Sequence, residues 1–101
     1  MKYRVTDRAV EMLDEITYFI ALDKPNAAEK FYEAVLDTFE AIADFPLRGR
    51  KVDFLNDASI RKINIIGYTD WLVFYRVGKS EVVISVVING SRDLPSVIND
   101  L

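Results

Sequence analysis

The stretch from Glu81 to Asn89, EVVISVVIN, constrains the fold more than any other part of the chain. Alternation puts Val82, Ile84, Val86 and Ile88 on one face and Val83 and Val87 on the other, so this strand is apolar on both. A strand buried on both faces belongs in the middle of a sheet. Its neighbours precede it. Ile60 to Ile66 alternates, and Trp71 to Val77 is rich in the aromatic and β-branched residues that strands favour. Gly67-Tyr68-Thr69-Asp70 and Gly78-Lys79-Ser80 read as turns, and such short connections make the three runs antiparallel neighbours. Lys2 to Val5 also alternates and is expected to pair beside the last strand.

The first half follows a different period. Ala9, Leu13, Ile16 and Ile20 recur at spacings of four, three and four, which is one face of an amphipathic helix from Asp7 to about Leu22. Thr6 can cap it, and Asp7, Glu11, Asp14 and Glu15 suit the positive end of its dipole. Asp23-Lys24-Pro25 breaks the pattern, and proline is well placed in a first helical turn. A second helix is predicted from Pro25 to Asp44, with Ala28, Phe31, Val35, Thr38, Phe39 and Ile42 on its inner side. The short connection makes the two helices an antiparallel hairpin. Pro46 and Gly49 open an irregular segment over residues 47–59, and a short turn or helix is expected near Asp93 to Leu101. The expected fold is α+β, of order β-α-α-β-β-β, with the hairpin packed on one face of a mostly antiparallel curled sheet. A chain of 101 residues has room for one domain, here residues 1–101.

Several functions are excluded by what the sequence lacks. There is no cysteine and no histidine, so a disulfide framework, a thiolate or histidine metal site and a Ser-His-Asp triad are impossible. No metal or cofactor is expected. Catalysis would have to come from Lys, Arg, Tyr and carboxylates. The apolar run from Val82 to Ile88 is too short to span a bilayer, and no apolar run follows the basic residues of the N-terminus, so a cytoplasmic location is expected. The net charge of −3 is divided unevenly: −5 over residues 1–47 and +2 over residues 48–101. An acidic protein is a poor general binder of nucleic acid. The basic second half can still form a local patch, with Arg48, Arg50 and Lys51 its best exposed cluster or merely solvated loop cations.

The elements, in order, resemble a known family over nearly the whole chain. Tyr3-Arg4-Val5-Thr6 with Ala9, Leu13 and Glu15-Ile16 is similar to the first strand and helix of ParE-type toxins, within the ParE/RelE superfamily. Asp23, Pro25, Ala27-Ala28 and Phe31 match the hairpin turn and second helix. Phe45-Pro46, Gly49-Arg50 and Ile60-Arg61 match the following loop and strand. Val73-Phe74-Tyr75-Arg76-Val77 is similar to the family's "IFYRV" strand, and the run Val86 to Pro95, VVINGSRDLP, to its "VLHGARDLP" motif. The histidine of that motif is Asn89 here.

The resemblance implies a toxin of a type II toxin–antitoxin system, silenced by a cognate ParD-like antitoxin whose flexible C-terminal segment wraps it. ParE-type members inhibit DNA gyrase; RelE-type members cut mRNA on the ribosome. Cleavage through the 2′-oxygen needs an acid, a base and positive charge for the transition state. RelE-type enzymes often carry an arginine where Trp71 stands here, and no Arg, Lys, His or Tyr follows Arg92. Gyrase is therefore the favoured target, with the ribosome and mRNA, or a non-toxic antitoxin-binding relic, as alternatives. A ribonuclease would draw on Arg61, Arg76, Arg92 and Tyr75. The candidate partner-binding residues are Leu13, Tyr18, Phe19 and Tyr32 on the hairpin, where an amphipathic antitoxin helix could lie, together with Arg61, Arg76 and Arg92. Each has a structural alternative. Arg61 could pair with Asp57 or Asp70, and Arg76 with a helix carboxylate. Arg92-Asp93 could be a turn and helix cap, and Trp71, Phe74, Tyr75 and the hairpin aromatics could complete the core.

Overall fold

The computed structural model describes residues 1–98 and 101. Strand β1 (Lys2–Val5) leads into helix α1 (Asp7–Asp23) and helix α2 (Pro25–Asp44). A 3-10 turn (Pro46–Arg48) and a two-residue strand β2 (Arg50–Lys51) come next. Strands β3 (Ile60–Ile65), β4 (Tyr68–Val77) and β5 (Glu81–Asn89) precede a short helix α3 (Leu94–Ile98). Of the expected C-terminal element over 93–101, residues 99 and 100 lie outside the described residues. Among the described residues no helix is long and apolar enough to cross a membrane.

The helices begin and end where their sequence signals lie. The Thr6 hydroxyl accepts a hydrogen bond from the Ala9 N–H at 3.1 Å, capping α1. Lys24 alone joins the helices. Its N–H donates to Ile20 O at 2.8 Å and closes α1, while its carbonyl accepts from Ala27 and Ala28 and opens α2. Pro25 needs no partner at that position.

The sheet order is β1-β5-β4-β3-β2, with β1 parallel to β5 and the other pairs antiparallel. This α+β architecture is the expected one, with β5 internal as its double-sided apolar character requires. Three details differ. The short strand β2 lies inside the segment read as irregular. The turn between β3 and β4 is shorter than expected, because Tyr68, Thr69 and Asp70 already belong to β4. The faces of β5 also exchange midway. Phe74 pairs with Val86 and Tyr75 with Ile84, so Ser85 is an extra residue. A bulge of one residue moves the rest of the strand to the opposite face. Val82, Ile84 and Val87 therefore lie under the helices, and Val86 and Ile88 lie on the other face with Phe74 and Ile98.

Ala9 and Leu13 of α1, and Phe31, Val35, Phe39 and Ile42 of α2, pack on Val73, Tyr75, Val82, Ile84 and Val87. Each fully buried large side chain contributes about 1.5–3 kcal/mol through removal from water. Thr38 is a polar member of this layer, and both roles of its hydroxyl are satisfied. It donates to Ala34 O at 2.8 Å and accepts from the Ile66 N–H at 3.1 Å, which fixes the β3–β4 turn to α2. The opposite face of the sheet is covered by Val52 and Leu55 at one end and by Leu94, Val97 and Ile98 at the other.

Candidate functional site: a cation clamp and an apolar groove

The charged and aromatic candidates of the sheet separate into two regions. At the C-terminal end of β4, Tyr75 is buried on the helix side of the sheet. Its hydroxyl donates to Pro46 O at 2.7 Å and accepts from the Gly49 N–H at 2.9 Å. Burial raises the phenol pKa, and the Gly49 N–H opposes that shift. Arg61 lies directly across from Tyr75 in the β3–β4 register. One of its terminal nitrogens donates to Gly49 O at 2.8 Å and Leu47 O at 3.3 Å. Tyr75 and Arg61 thus grip the chain from Pro46 to Gly49 from both sides. Gly49 is required by that approach, since a Cβ there would collide with the Tyr75 hydroxyl and come within 2.9 Å of Lys62 O. The Nε of Arg61 is buried without a partner among the described residues.

Arg76 comes directly after Tyr75 and so emerges on the opposite face. It pairs with Asp57 at 2.7 Å and with the Ser59 hydroxyl at 2.8 Å. Asp57 also accepts from the Ser59 hydroxyl at 2.6 Å and the Ser59 N–H at 2.9 Å. These bonds, from Ser59 first and Arg76 next, hold the Asp57 carboxyl pKa at about 2, below its ordinary 3.8. The carboxylate that Arg76 finds is in the loop and not on a helix. Arg61 pairs with neither Asp57 nor Asp70; backbone carbonyls take that place.

The second region is a groove of about 290 Å³ between α1 and the other end of the sheet, lined by Met12, Ile16, Phe19, Ile20, Trp71 and Val87, with Glu15 and Arg92 among its polar members. Phe31 supports its floor, its ring edge-on to Trp71 at 5.4 Å and to Tyr68 at 5.0 Å. Trp71 is half-buried, so it belongs both to the core margin and to the groove wall. Asn89, across from Trp71, uses its side-chain oxygen to accept from the Ser91 N–H at 2.9 Å and shapes the turn that carries Arg92. Asp93 accepts from the Ser96 hydroxyl at 2.6 Å, and its carbonyl accepts from Val97 N–H at 3.3 Å, at the start of α3.

The sequence-derived candidates therefore divide. Phe19 and Arg92 meet in the groove. Tyr18 and Tyr32 meet instead in a shallow trough on the outer side of the hairpin, beside Asp14, Glu29 and Glu33. Leu13 is only 5% exposed and packs in the core, so it is not available as a surface contact. Arg61, Arg76, Arg92 and Tyr75 do not converge as a cleavage site would require. Tyr75 and Arg61 hold a loop, Arg76 faces the other side, and Arg92 stands at the far end of the sheet. Met12, Ile16, Ile20 and Trp71 were legible only as core or went unmarked. Met12, Ile16 and Ile20 lie at helical spacing on α1, and Trp71 faces them from β4.

A family model described as ParE toxin of type II toxin-antitoxin system, parDE, matches residues 3–94. No curated protein matches the chain. Among solved structures, one titled "Chromosomal ParDE TA system from P. aeruginosa" superposes with a TM-score of 0.73 at 17% identity, covering 88% of this chain and 95% of that one. At that identity the likeness speaks to fold.

Proposed function

The chain belongs to the ParE toxin family, and from that premise we propose that residues 1–101 form one toxin domain that acts in the cytoplasm by binding DNA gyrase. A cognate ParD-like antitoxin neutralises it. The observation that carries a binding role over a cleaving one is the placement of the four candidate catalytic side chains. Tyr75 and Arg61 are engaged by backbone groups, Arg76 by Asp57, and Arg92 is remote from all three. General acid–base chemistry on RNA needs such groups within hydrogen-bond reach of one phosphodiester. The groove favours the antitoxin half of the reading. An amphipathic helix docks by laying apolar anchors into such a furrow. Phe19 and Trp71 supply the apolar walls, and Arg92 supplies a cation for an acidic residue of the partner.

The test is tightly controlled induction of the chain in bacteria that carry a DNA-damage reporter. A strong damage response with filamentous cells, relieved by a toxin-resistant gyrase, is the expected result. Growth arrest with cut transcripts in translating extracts and no damage response would replace gyrase by the ribosome. Unimpaired growth would leave only antitoxin binding.

A further inference from the structure

We infer that the turn from Phe45 to Lys51 is a separate docking surface, a clamped apolar knob among cations that inserts into an acidic, apolar-pocketed face of the protein on which the toxin acts. The inference rests on the reading that the chain acts through protein contact, and it adds the surface that makes the contact.

Three observations carry it. First, Phe45 and Leu47 are 63% and 67% exposed, which sets them with Tyr18, Phe19 and Leu22 as the most open large apolar side chains of the described residues. Second, they are not on a slack loop. Pro46 O, Leu47 O and both polar backbone groups of Gly49 are bonded to Tyr75 or Arg61. The Arg48 guanidinium sits 5.2 Å over the Phe45 ring. Holding exposed side chains in one geometry removes much of the ordering cost of binding. Third, cations flank the knob on both faces of the sheet, Lys51 and Arg61 on the Tyr75 face and Arg50 and Lys62 on the Phe74 face. The β2–β3 register sets Arg50 directly across from Lys62 and Lys51 directly across from Arg61. Like charges directly opposite destabilise an antiparallel pair. Among the described residues, Arg48, Arg50, Lys51, Arg61 and Lys62 have no carboxylate within ion-pair distance. An acidic partner would relieve this repulsion.

A protein fits this surface better than a nucleic acid. Leu47 has nothing to offer a phosphate or a base, and Arg48 already covers one face of the Phe45 ring, where a base would stack. The whole chain carries −3, and residues 1–47 carry −5, which opposes a polyanion at long range. An aromatic ring and an arginine on a fixed support are instead the kinds of side chain enriched among protein-interface anchors. The knob stands by Tyr75 and the groove by Trp71, roughly 13 Å apart along β4 at the usual strand rise. The side chains of the knob and of the groove can therefore be substituted separately.

The experiment compares wild type with Phe45→Ser/Leu47→Ser and with Arg50→Glu/Lys51→Glu. Growth arrest on induction is one readout, and inhibition of supercoiling by purified bacterial DNA gyrase is the other. Both variants should melt near wild type, because every changed side chain is exposed. Both should need roughly tenfold or more protein for half inhibition, the change expected when interface anchors are removed. Undiminished potency of either folded variant overturns the knob. If the apolar variant fails to fold, the charge-reversal variant decides. Wild type that arrests growth without inhibiting gyrase defeats the gyrase reading and leaves growth arrest to judge the knob. Wild type that arrests nothing overturns both. A labelled oligonucleotide bound by wild type and by the apolar variant, but not by the charge variant, would also overturn it, because the surface would then serve nucleic acid.

Discussion

Phe19 and Phe45 are exposed to nearly the same degree, 65% and 63%, yet they stand on differently built ground. Phe19 is on a regular helix above a groove that includes buried Val87 and is walled by Trp71, with Phe31 packed behind that ring. Phe45 opens a turn whose Pro46, Leu47 and Gly49 backbone groups are held by a buried tyrosine and an arginine from distant strands. The groove owes its shape to apolar packing, which is non-directional and yields to a partner. The turn owes its shape to hydrogen bonds, which are directional and either hold or break. One region is thus suited to accept a helix by small adjustments, and the other to enter a pocket already formed.

The largest expected effect tests the packed side of this comparison. Phe31 is 1% exposed and touches the rings of both Tyr68 and Trp71. Phe31→Ala should cost about 4 kcal/mol from lost burial and the cavity left behind. Trp71, the sole tryptophan, should report the loosened groove floor by a fluorescence shift in the still-folded protein. An unchanged Trp71 spectrum with lowered stability would mean that the groove does not depend on the core beneath it.

A smaller effect tests the bonded side. Tyr75→Phe keeps the ring and removes the hydroxyl, leaving the Gly49 N–H and Pro46 O without their partner. A buried group left unsatisfied costs about 1–3 kcal/mol, so a loss of about 2 kcal/mol is expected in chemical denaturation. Amide exchange should quicken over residues 47–50 and stay unchanged over α1. Equal quickening in both regions would show that turn and groove open as one unit.

The same contrast explains what could be read from the sequence. The α1 and α2 boundaries, the β5 span and the inner face of α2 come from periodicity, a threonine cap and Pro25, all local signals. The family resemblance rests on these elements in order and on the residue runs they carry, such as VFYRV in β4 and VVINGSRDLP from β5 onward. The clamp was not legible, because Tyr75 and Gly49 are 26 positions apart in the chain. Tyr75 reads as one more apolar strand residue, and Gly49 as an ordinary loop glycine. The exchange of faces in β5 was hidden for a related reason. Ser85 is a small polar residue in an alternating run, and only its pairing with β4 reveals it as the inserted one. Arg61 and Arg76 were correctly singled out as cations within strands. Their partners, the Leu47 and Gly49 carbonyls and Asp57, depend on how the turn over 45–51 and the loop over 52–59 fold back on the sheet.

The smallest effect concerns that return. Arg76 and Asp57 are each about 40% exposed in their side chains, 41% and 40%, so water screens the pair. The carboxyl pKa is nevertheless lowered to about 2, first by the Ser59 hydroxyl, then by Arg76 and then by the Ser59 N–H. A group whose folded pKa is depressed adds stability above its unfolded pKa and loses it as the pH falls toward the folded one. For Asp57 that window runs from its ordinary 3.8 down to about 2. Wild type should therefore be modestly more stable than Asp57→Asn at neutral pH, and the two melting curves should converge as the pH falls through that window. Tyr75 does not share this sensitivity, since its phenol is raised by burial and stays protonated throughout acid and neutral pH. Acid should then loosen the loop around Asp57 before the turn that Tyr75 holds. Melting temperatures of wild type and Asp57→Asn that run parallel from neutral pH to pH 2 would show that Asp57 adds nothing to the loop's return, and that the turn is held from the Tyr75 side alone.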